Sequence, residues 1–471
     1  MTARTASATA LILLLAGCTT VGPDYKTPQT AATAAAAANW IEAVTPGRVE
    51  RQWWQAMGDL VLAALVEQAI ASAPDVREAE ARVLEARAQR DAVLGGQQPQ
   101  AQVTGSASEN MLSKNGQLPA GRIPGLERDF PLFDVGFDAS WEIDFWGRKV
   151  RQAESAAART GQAEAAADEV RLALAAETAR AYIDLRQAEA VQGLAARVAG
   201  EQGNLARLTQ LRYTAGEATR IEAERAASEA AAAGAQLADA AARARAARYR
   251  LAPLVGQPPE TVAAQVAAAA PIPDGPDAIL TGIRSDLLRR RPDIRRAERE
   301  LAAATAEIGV ATADLFPRFS LFGGFGQQAR SPEDLLSFDS TRFSLGPRFS
   351  WPVFQMGTIR AQIRAADARA AAAAARYDKA VIGALADSET AINRFLQARI
   401  ALHRAEQSLA REDEALALVQ LRVRRGEDDR LALARAELVQ AQAVQRRDAA
   451  RAARGQAAVA LYKALGGGWE R

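Results

Sequence analysis

The chain has 471 residues, with 58 Lys or Arg against 56 Asp or Glu, so its net charge at pH 7 is only +2. This balance gives no field strong enough to gather nucleic acid by neutralising phosphates, and a nucleic-acid partner is disfavoured. One cysteine and one histidine exclude disulfide frameworks and cysteine or histidine metal cages. The sequence contains no run of about eighteen apolar residues, which excludes a membrane-spanning helix.

The amino terminus has the pattern of a processed leader. Residues 10–16 read ALILLLA, which is too short to span a bilayer but long enough for the core of a signal peptide. The following LAGC resembles the bacterial lipobox, and we expect a signal peptide at 1–17 and a covalent lipid on Cys18. The alternative is a buried or leftover thiol, but the only cysteine directly follows the apolar run. The residue after Cys18 is Thr19 and not Asp, and by the lipoprotein sorting rule this implies that the protein is located in the outer membrane.

Two long stretches predict helices. All prolines lie outside 148–252 and 353–471, and both stretches are rich in Ala, Arg, Glu, Leu and Gln. Apolar residues at heptad spacing along them predict coiled-coil packing. Each stretch is interrupted once by a glycine turn, and we expect the helices to reverse at Gly216 and Gly426, where glycine supplies a positive φ.

The chain is a duplicated unit. The two turn glycines are 210 residues apart and Trp141 and Trp351 share that offset, whereas Pro74 and Pro292 differ by 218. A variable loop is therefore expected between Pro74 and Trp141. The expected organisation is a lipidated segment at 18–60, a first repeat at 61–256 with helices at 148–252, a Pro/Ala-rich linker at 257–285, and a second repeat at 286–471 with helices at 357–465.

Residues 132–146 read LFDVGFDASWEIDFW, in which apolar and polar residues alternate. A period of two predicts a strand with one apolar and one polar face, and this strand exceeds the nine to eleven or so residues that a tilted transmembrane strand needs. The charged members of its polar row are Asp134, Asp138, Glu142 and Asp144.

The second repeat has the same alternation at 341–354. Arg342 and Arg348 lie in its polar row, and Pro347 interrupts the pattern because proline removes a donor from the strand ladder. Weaker partner strands, which complete one hairpin in each repeat, are expected at about 99–110 and 317–329.

Two environments fit such strands. In a soluble sheet the apolar row covers a core, whereas in a membrane barrel it faces lipid. The repetition in both copies, the tryptophans at the helix-proximal ends and the lipid tether favour the membrane. Because an Arg or Lys that faces lipid costs about 2–4 kcal/mol at mid-bilayer, the charged row would then line a water-filled pore.

Barrel closure requires several copies of the chain. Four strands are fewer than the minimum of about eight, and an open sheet edge is not tolerated in hydrocarbon. Two, three or four chains would supply about eight, twelve or sixteen strands, and only the larger counts leave a channel. The residues from Gly147 to Gly216 would form roughly 100 Å of helix, which far exceeds a bilayer core of roughly 30 Å. We expect these helices to project away from the membrane.

Four segments that together cover both repeats are distinctive: CTTVGPDYKTP at 18–28, PLVGQPP at 253–259, RRPDIRRAERELAAATAEIGVATADLFPRFSLFGGFG at 290–326, and LYKALGGGW at 461–469. They resemble lipoproteins of the TolC, OprM and NodT type, the outer-membrane factors of tripartite efflux systems. The resemblance implies a fold class of α plus transmembrane β. In this class a trimer forms a twelve-stranded barrel, with four strands per chain, that continues into a long periplasmic helical barrel with a mid-tunnel belt that includes the 257–285 linker.

The same resemblance implies partners and a gate. The partners are two further copies, outer-membrane lipid, a periplasmic adaptor that meets the glycine turns, and an inner-membrane pump; no cofactor is implied beyond the lipid. Family members often have Asp six residues after the first turn glycine and nine after the second, where this chain has Glu222 and Arg435. The candidates for a charged constriction, if these residues do more than solvate a turn, are Arg424, Arg425, Asp428 and Asp429.

The leading hypothesis is a passive exit duct for small molecules such as drugs, toxic compounds or metal ions. The same architecture would also serve as a duct for protein secretion. A third hypothesis is a periplasmic structural lipoprotein whose coiled coils span the envelope without a pore. An enzyme is the remotest choice, because no nucleophile constellation is visible.

Overall fold

A computed structural model describes residues 20–29, 33, 36, 38–42, 44–114 and 127–469. The predicted signal peptide at 1–17 and Cys18 lie outside these residues. The chain divides into two compact units, which are described separately. Unit 1 comprises Met1–Thr27, Leu84–Gln162 and Glu298–Arg376, and unit 2 comprises Pro28–Val83, Ala163–Ala297 and Tyr377–Arg471.

Helices account for most of the chain. They are α1 (Leu60–Ser72), α2 (Pro74–Gly95), α3 (Arg148–Thr214), α4 (Arg220–Val255), α5 (Pro259–Gln265), α6 (Leu287–Arg290), α7 (Pro292–Ala313), α8 (Met356–Arg424) and α9 (Arg430–Ala464). Short 3₁₀ helices lie at Gln55–Met57, Arg284–Asp286, Pro332–Leu336, Phe338–Ser340 and Val353–Gln355. None of the helices in the described ranges combines the length and apolar character needed to cross a membrane.

The two predicted helical stretches are each a pair of helices broken at the expected glycine turn. The first begins at Arg148 as predicted, but α4 continues through Pro253 to Val255 instead of ending at 252. Gly256, at φ +67°, then ends the helix by donating its N–H to the carbonyls of Ala252 and Pro253. Pro253 has no N–H to donate to the carbonyl four residues earlier, so the last turn of α4 lacks one helical hydrogen bond.

Unit 1 contains a four-stranded antiparallel sheet. Its strands are β1 (Gln100–Met111), β2 (Asp129–Ile143), β3 (Arg318–Ala329) and β4 (Thr341–Ser350). The strands pair in the order β1-β2-β3-β4, so that one hairpin from each repeat meets the other through β2 and β3. Pro347 lies in the edge strand β4, where a missing donor costs no bond to a further strand of the same chain.

The alternating strands are shorter at their helix-proximal ends than the sequence predicted. β2 ends at Ile143 and β4 at Ser350, whereas the alternation predicted ends at 146 and 354. In β2 the reason lies in Asp144, whose carboxylate accepts the backbone N–H groups of Lys149 and Val150 at 2.8 and 3.1 Å. Asp144 therefore caps the start of α3, and its assignment to the strand was wrong.

The repeat offset locates the variable loop. Helices α2 and α7 start 218 residues apart, and so do strands β1 and β3, whereas the two turn glycines are 210 residues apart. The length difference therefore falls between the first and second strand of each hairpin. In the first repeat this connection includes residues outside the described ranges.

Both units contain buried clusters of small residues. In unit 1, Ala158 forms a buried cluster with Ala302 and Ala303, against which Tyr25 packs. In unit 2, Ala79 and Val83 form a buried cluster with Ala167. Alanine at such contacts lets long helices approach closely, and this explains the alanine-rich composition.

Candidate functional site

The sheet of unit 1 has one polar and one apolar face along all four strands. Residues opposite each other in paired strands point to the same side, and Ser106, Asp134 and Gln328 are directly opposite each other. Since Gly326 pairs with Arg342, the even-numbered residues of every strand share a face. That face is polar or glycine apart from Phe130, Leu132 and Phe322, and we call it the polar face.

The odd-numbered face is apolar apart from Glu109, Asp129, Gln327 and Thr341. Ten of its large side chains expose from 39 to 77% of their surface in the single chain. They are Val103, Met111, Val135, Phe137, Trp141, Leu321, Phe325, Phe343, Leu345 and Phe349. An apolar band of this size on a sheet indicates contact with lipid or another apolar partner.

The tryptophans expected at the helix-proximal end are anchored there. The indole N–H of Trp141 donates to the carbonyl of Gln97 at 3.1 Å, and that of Trp351 donates to the carbonyl of Leu315 at 3.0 Å. Trp146 binds the carbonyl of Pro317 in the same way at 2.9 Å. This arrangement is typical of an interfacial aromatic girdle, because each ring has one polar contact and an apolar body.

The predicted pore-lining residues, apart from Asp144, lie on the polar face. Asp134 and Arg342 form an ion pair with a shortest N–O distance of 2.8 Å. Asp138 accepts the hydroxyl of Thr104 at 2.9 Å. Glu142 lies 3.6 Å from the Arg148 guanidinium at the start of α3.

The remaining predicted lining residue, Arg348, is held by an aromatic ring. Its guanidinium lies 4.8 Å from the centroid of Phe322, also on the polar face. This contact explains how one of the few aromatic residues of that face is accommodated.

The segment that follows Cys18 in the sequence is fixed at the junction of sheet and helix. Val21 donates its N–H to the carbonyl of Trp146 at 3.0 Å. The buried Arg151 donates to the carbonyl of Val21 and pairs with Asp24 at 2.7 Å. Thr20 lies directly against Gly147, because a Cβ added to Gly147 would lie only 2.6 Å from the methyl carbon of Thr20.

The first glycine turn, at the end of α3, is a Schellman-type C-cap. Gly216 has φ +75° and donates to the carbonyl of Tyr213, while the N–H of Glu217 reaches back to Arg212 at 2.8 Å. Helix α4 then begins with a capping box, in which Thr219 and Glu222 bind each other's backbone N–H. The hydrogen bonds from Thr219 lower the pKa of the Glu222 carboxyl.

The second glycine turn repeats this backbone. Gly426 has φ +74°, and the N–H of Glu427 reaches back to Arg422 at 3.0 Å. The side chain of Asp429 caps α9 by accepting the N–H of Ala432 at 2.8 Å. The Arg422 guanidinium holds Asp428, with Nε 3.1 Å from Oδ2.

The four gate candidates therefore differ in their contacts. Asp428 and Asp429 are engaged within their own turn. Arg424 and Arg425 are exposed at the end of α8 and have no ion pair among the described residues. Glu222, at the first position where the family often has Asp, belongs to the capping box, and Arg435 is an exposed residue of α9.

Unit 2 holds its charged and phenolic groups in structural networks. Burial raises the pKa of Tyr182 to about 12, and its hydroxyl donates to Asp59, the residue that caps α1. Burial also raises the pKa of Asp168, although the nearby Arg295 and Arg171 oppose the shift. The described residues contain no group of three or more His, Cys, Asp or Glu side chains that could hold a metal.

Sequence reasoning missed three features. The pairing of Asp134 with Arg342 joins residues 208 apart, and the Arg151 contacts to the amino-terminal segment are equally non-local. No local pattern indicates either of them. The capping box was detectable, because Thr219 followed three residues later by Glu222 is its sequence signature.

Comparison with known proteins places these features in context. A sequence model of the family described as outer membrane efflux protein matches residues 65–257 and 283–467. The pyoverdine export outer membrane protein OpmQ of Pseudomonas aeruginosa is 31% identical over 469 residues, which cover 97% of this chain and 96% of that protein. The multidrug resistance outer membrane protein MdtQ of Escherichia coli O6:H1 is 26% identical, with 98% and 97% covered.

Solved structures agree with the sequence comparison. The outer-membrane channel OprN superimposes with a TM-score of 0.82 at 36% identity, over 95% of this chain and 99% of that one. This similarity confirms the predicted fold class, that of trimeric channels with a β-barrel and a long helical barrel.

Proposed function

The chain belongs to the outer membrane efflux protein family, and on this premise we propose that it is the passive exit duct of a tripartite system that exports small molecules. The family consists of outer-membrane channels and not of enzymes, as the sequence resemblance implied. The duct itself performs no chemistry, and the work of transport is done by a pump.

One observation carries the proposal: the sheet has a polar face and an apolar face along all four strands. Its two outer strands, β1 and β4, have no neighbour within the described chain, and such edges are not tolerated in hydrocarbon. Three copies close the edges into a twelve-stranded barrel with the apolar face in lipid. Asp134, Asp138, Arg342 and Arg348 then line a water-filled lumen.

The names of the relatives support small cargo. One relative is named for pyoverdine export and another for multidrug resistance. Neither is named for protein secretion, so a secretion duct is the less favoured alternative. The non-pore structural lipoprotein is disfavoured by membership in a channel family.

We further propose that Cys18 carries the acyl chains that anchor the protein in the outer membrane. Thr20, two residues further along the chain, lies against Gly147 at the helix-proximal end of the sheet. Lipid on Cys18 would therefore enter the membrane beside the barrel, at the level of Trp141 and Trp351.

The glycine turns are proposed as the contact with a periplasmic adaptor, and Arg424 and Arg425 as the charged groups that control opening. The exposure of the two turns supports both roles. Each turn joins the two helices of its pair, and a Cβ added to Gly216 or Gly426 would meet no other group within 4 Å. Asp428 and Asp429 would shape the second turn, since their carboxylates are bound within it.

A planar bilayer tests the duct. Purified full-length protein should elute as a trimer in detergent and conduct stepwise single-channel currents. A Cys18→Ala variant should lose the lipid, as a mass difference shows, and still conduct. A monomer that leaves the bilayer silent would overturn the proposal and favour the structural lipoprotein. Loss of secreted protein, with unchanged drug, solvent and metal resistance in a deletion strain, would favour the secretion duct.

A further inference from the structure

The ion pair between Asp134 and Arg342 crosses a strand. Arg342 is on β4 and Asp134 is on β2, with β3 between them. The guanidinium donates from Nε to Oδ2 at 3.0 Å and from Nη2 to Oδ1 at 2.8 Å, which is the two-pronged geometry that Arg forms with a carboxylate. Gln328, directly opposite Asp134, adds a third hydrogen bond at 2.8 Å. The arginine is thus held flat along the polar face.

Glycines make room for this crossing. A Cβ on Gly136 would come within 2.6 Å of Arg342 Nη2. A Cβ on Gly324 would come within 2.9 Å of Asp138 Oδ1 and 3.5 Å of Arg342 Nη1. Glycine weakens a strand, and its presence here marks a place where other groups must approach the backbone closely.

The crossing arginine pairs closely with one carboxylate and contacts the next one only at the limit of an ion pair. Asp138 Oδ1 lies 4.0 Å from Arg342 Nη1, and its side chain is 41% exposed, against 17% for Asp134. Two carboxylates and one guanidinium give this level of the polar face one net negative charge per chain. Arg348 lies further along β4. Its guanidinium lies over the ring of Phe322 and has no carboxylate contact in the described part of the chain.

We propose that Arg342 determines the charge selectivity of the barrel lumen, an inference that rests on the proposed function. Rings of charged side chains select permeating ions by sign, and each copy in the assembly repeats this cluster. Arg342 halves the fixed negative charge at its level, so this level of the lumen has a weak preference for cations, whereas Arg348 adds a positive charge further along β4. The cargo that this level favours is cationic or zwitterionic rather than polyanionic.

The test is the reversal potential of the full-length protein in a planar bilayer under a gradient of dilute KCl, because screening is weakest at low salt. Arg342→Gln exposes both carboxylates and should raise the cation-to-anion permeability ratio about twofold. Arg342→Lys keeps the charge and should leave the ratio unchanged. The double variant Asp134→Asn with Arg342→Gln has the wild-type charge and should restore the wild-type ratio.

Arg348→Gln is the matched control, because it removes the same charge from the same face of the same strand. It should shift the ratio less, because the two carboxylates that favour cations lie at the level of Arg342 and not at that of Arg348. If Arg342→Gln fails to assemble, Asp134→Asn keeps the guanidinium and should lower the ratio. A wild-type current with a ratio insensitive to these variants, or equally sensitive to Arg348→Gln, overturns this inference alone. A wild-type protein without current overturns the proposed function and this inference with it.

Discussion

The two glycine turns share a backbone but not their side chains. Both turns place glycine at a positive φ, 75° and 74°, and both return the next amide to an arginine carbonyl five residues earlier. The first turn has no ion pair of its own among the described residues and ends in a Thr219–Glu222 capping box. The second contains Asp428 and Asp429 and is bordered by Arg424 and Arg425.

The difference between the two turns shows which residue types are needed to end one helix and which are needed to start the next. Reversal of a helix needs only a residue that tolerates a positive φ and donors for the last carbonyls, so both copies keep glycine. The start of the following helix needs a side-chain acceptor, which Thr219 supplies in one turn and Asp429 in the other. Charge at the turn is therefore free to differ, and the second turn alone concentrates it.

The largest expected effect comes from the glycines. Gly216→Ala and Gly426→Ala should each destabilise their turn by about 1–2 kcal/mol, because a Cβ is unfavourable at positive φ although the surrounding space is open. Amide exchange of the turn peptides in the intact protein should quicken about tenfold. Gly234→Ala, within α4, is the control and should slow exchange. Unequal increases in amide exchange for the two variants would contradict the conclusion that both turns have the same backbone conformation.

The next effect comes from the residues that cap the following helices. Thr219→Ala and Asp429→Ala should each cost about 1 kcal/mol, because the first turn of α4 or α9 loses its side-chain acceptor. We expect the larger loss at Thr219, where Glu222 also loses its hydroxyl partner. Exchange of the peptides that begin α4 and α9 measures both. A larger loss at Asp429 would show that the capping box adds nothing.

A smaller, pH-dependent effect separates the turns. The lowered pKa of Glu222 means that its ionised form stabilises the first turn. This contribution is present above the ordinary glutamate pKa and is lost as the pH falls through the lowered value. Wild type and Glu222→Gln should thus differ in exchange at neutral pH and converge in acid. A difference that persists in acid would assign the effect to packing instead of charge.

The smallest effect concerns the ion pair of the second turn. Arg422→Gln should cost about 0.2–1 kcal/mol, since Arg422 and Glu427 are exposed to solvent and Asp428 is only partly buried. The loss should shrink in high salt. The equivalent Arg212→Gln should have a weaker salt dependence, because the hydrogen bond of Arg212 at the first turn goes to the uncharged carbonyl of Glu217. Equal salt dependence in both variants would remove the electrostatic contrast between the turns.

Local patterns predicted much of the candidate site. Alternation placed Asp134, Asp138, Glu142, Arg342 and Arg348 on one face, because side chains of a strand alternate by geometry alone. The same pattern failed at Asp144, since a residue in phase with the strand was also within reach of the next helix start. Alternation carries no information about where a neighbouring helix needs a cap.

The sequence by itself determined the repeat, the helix pairs with their glycine turns, and the two-faced strands, because each depends on periodicity or on the backbone freedom of single residues. Only the tertiary structure decided which charges meet. Arg342 reaches Asp134 across β3, and Arg151 holds Val21 and Asp24, through contacts between residues more than a hundred positions apart. Such contacts depend on strand order, register and the space that glycines leave, which emerge only when the elements pack together.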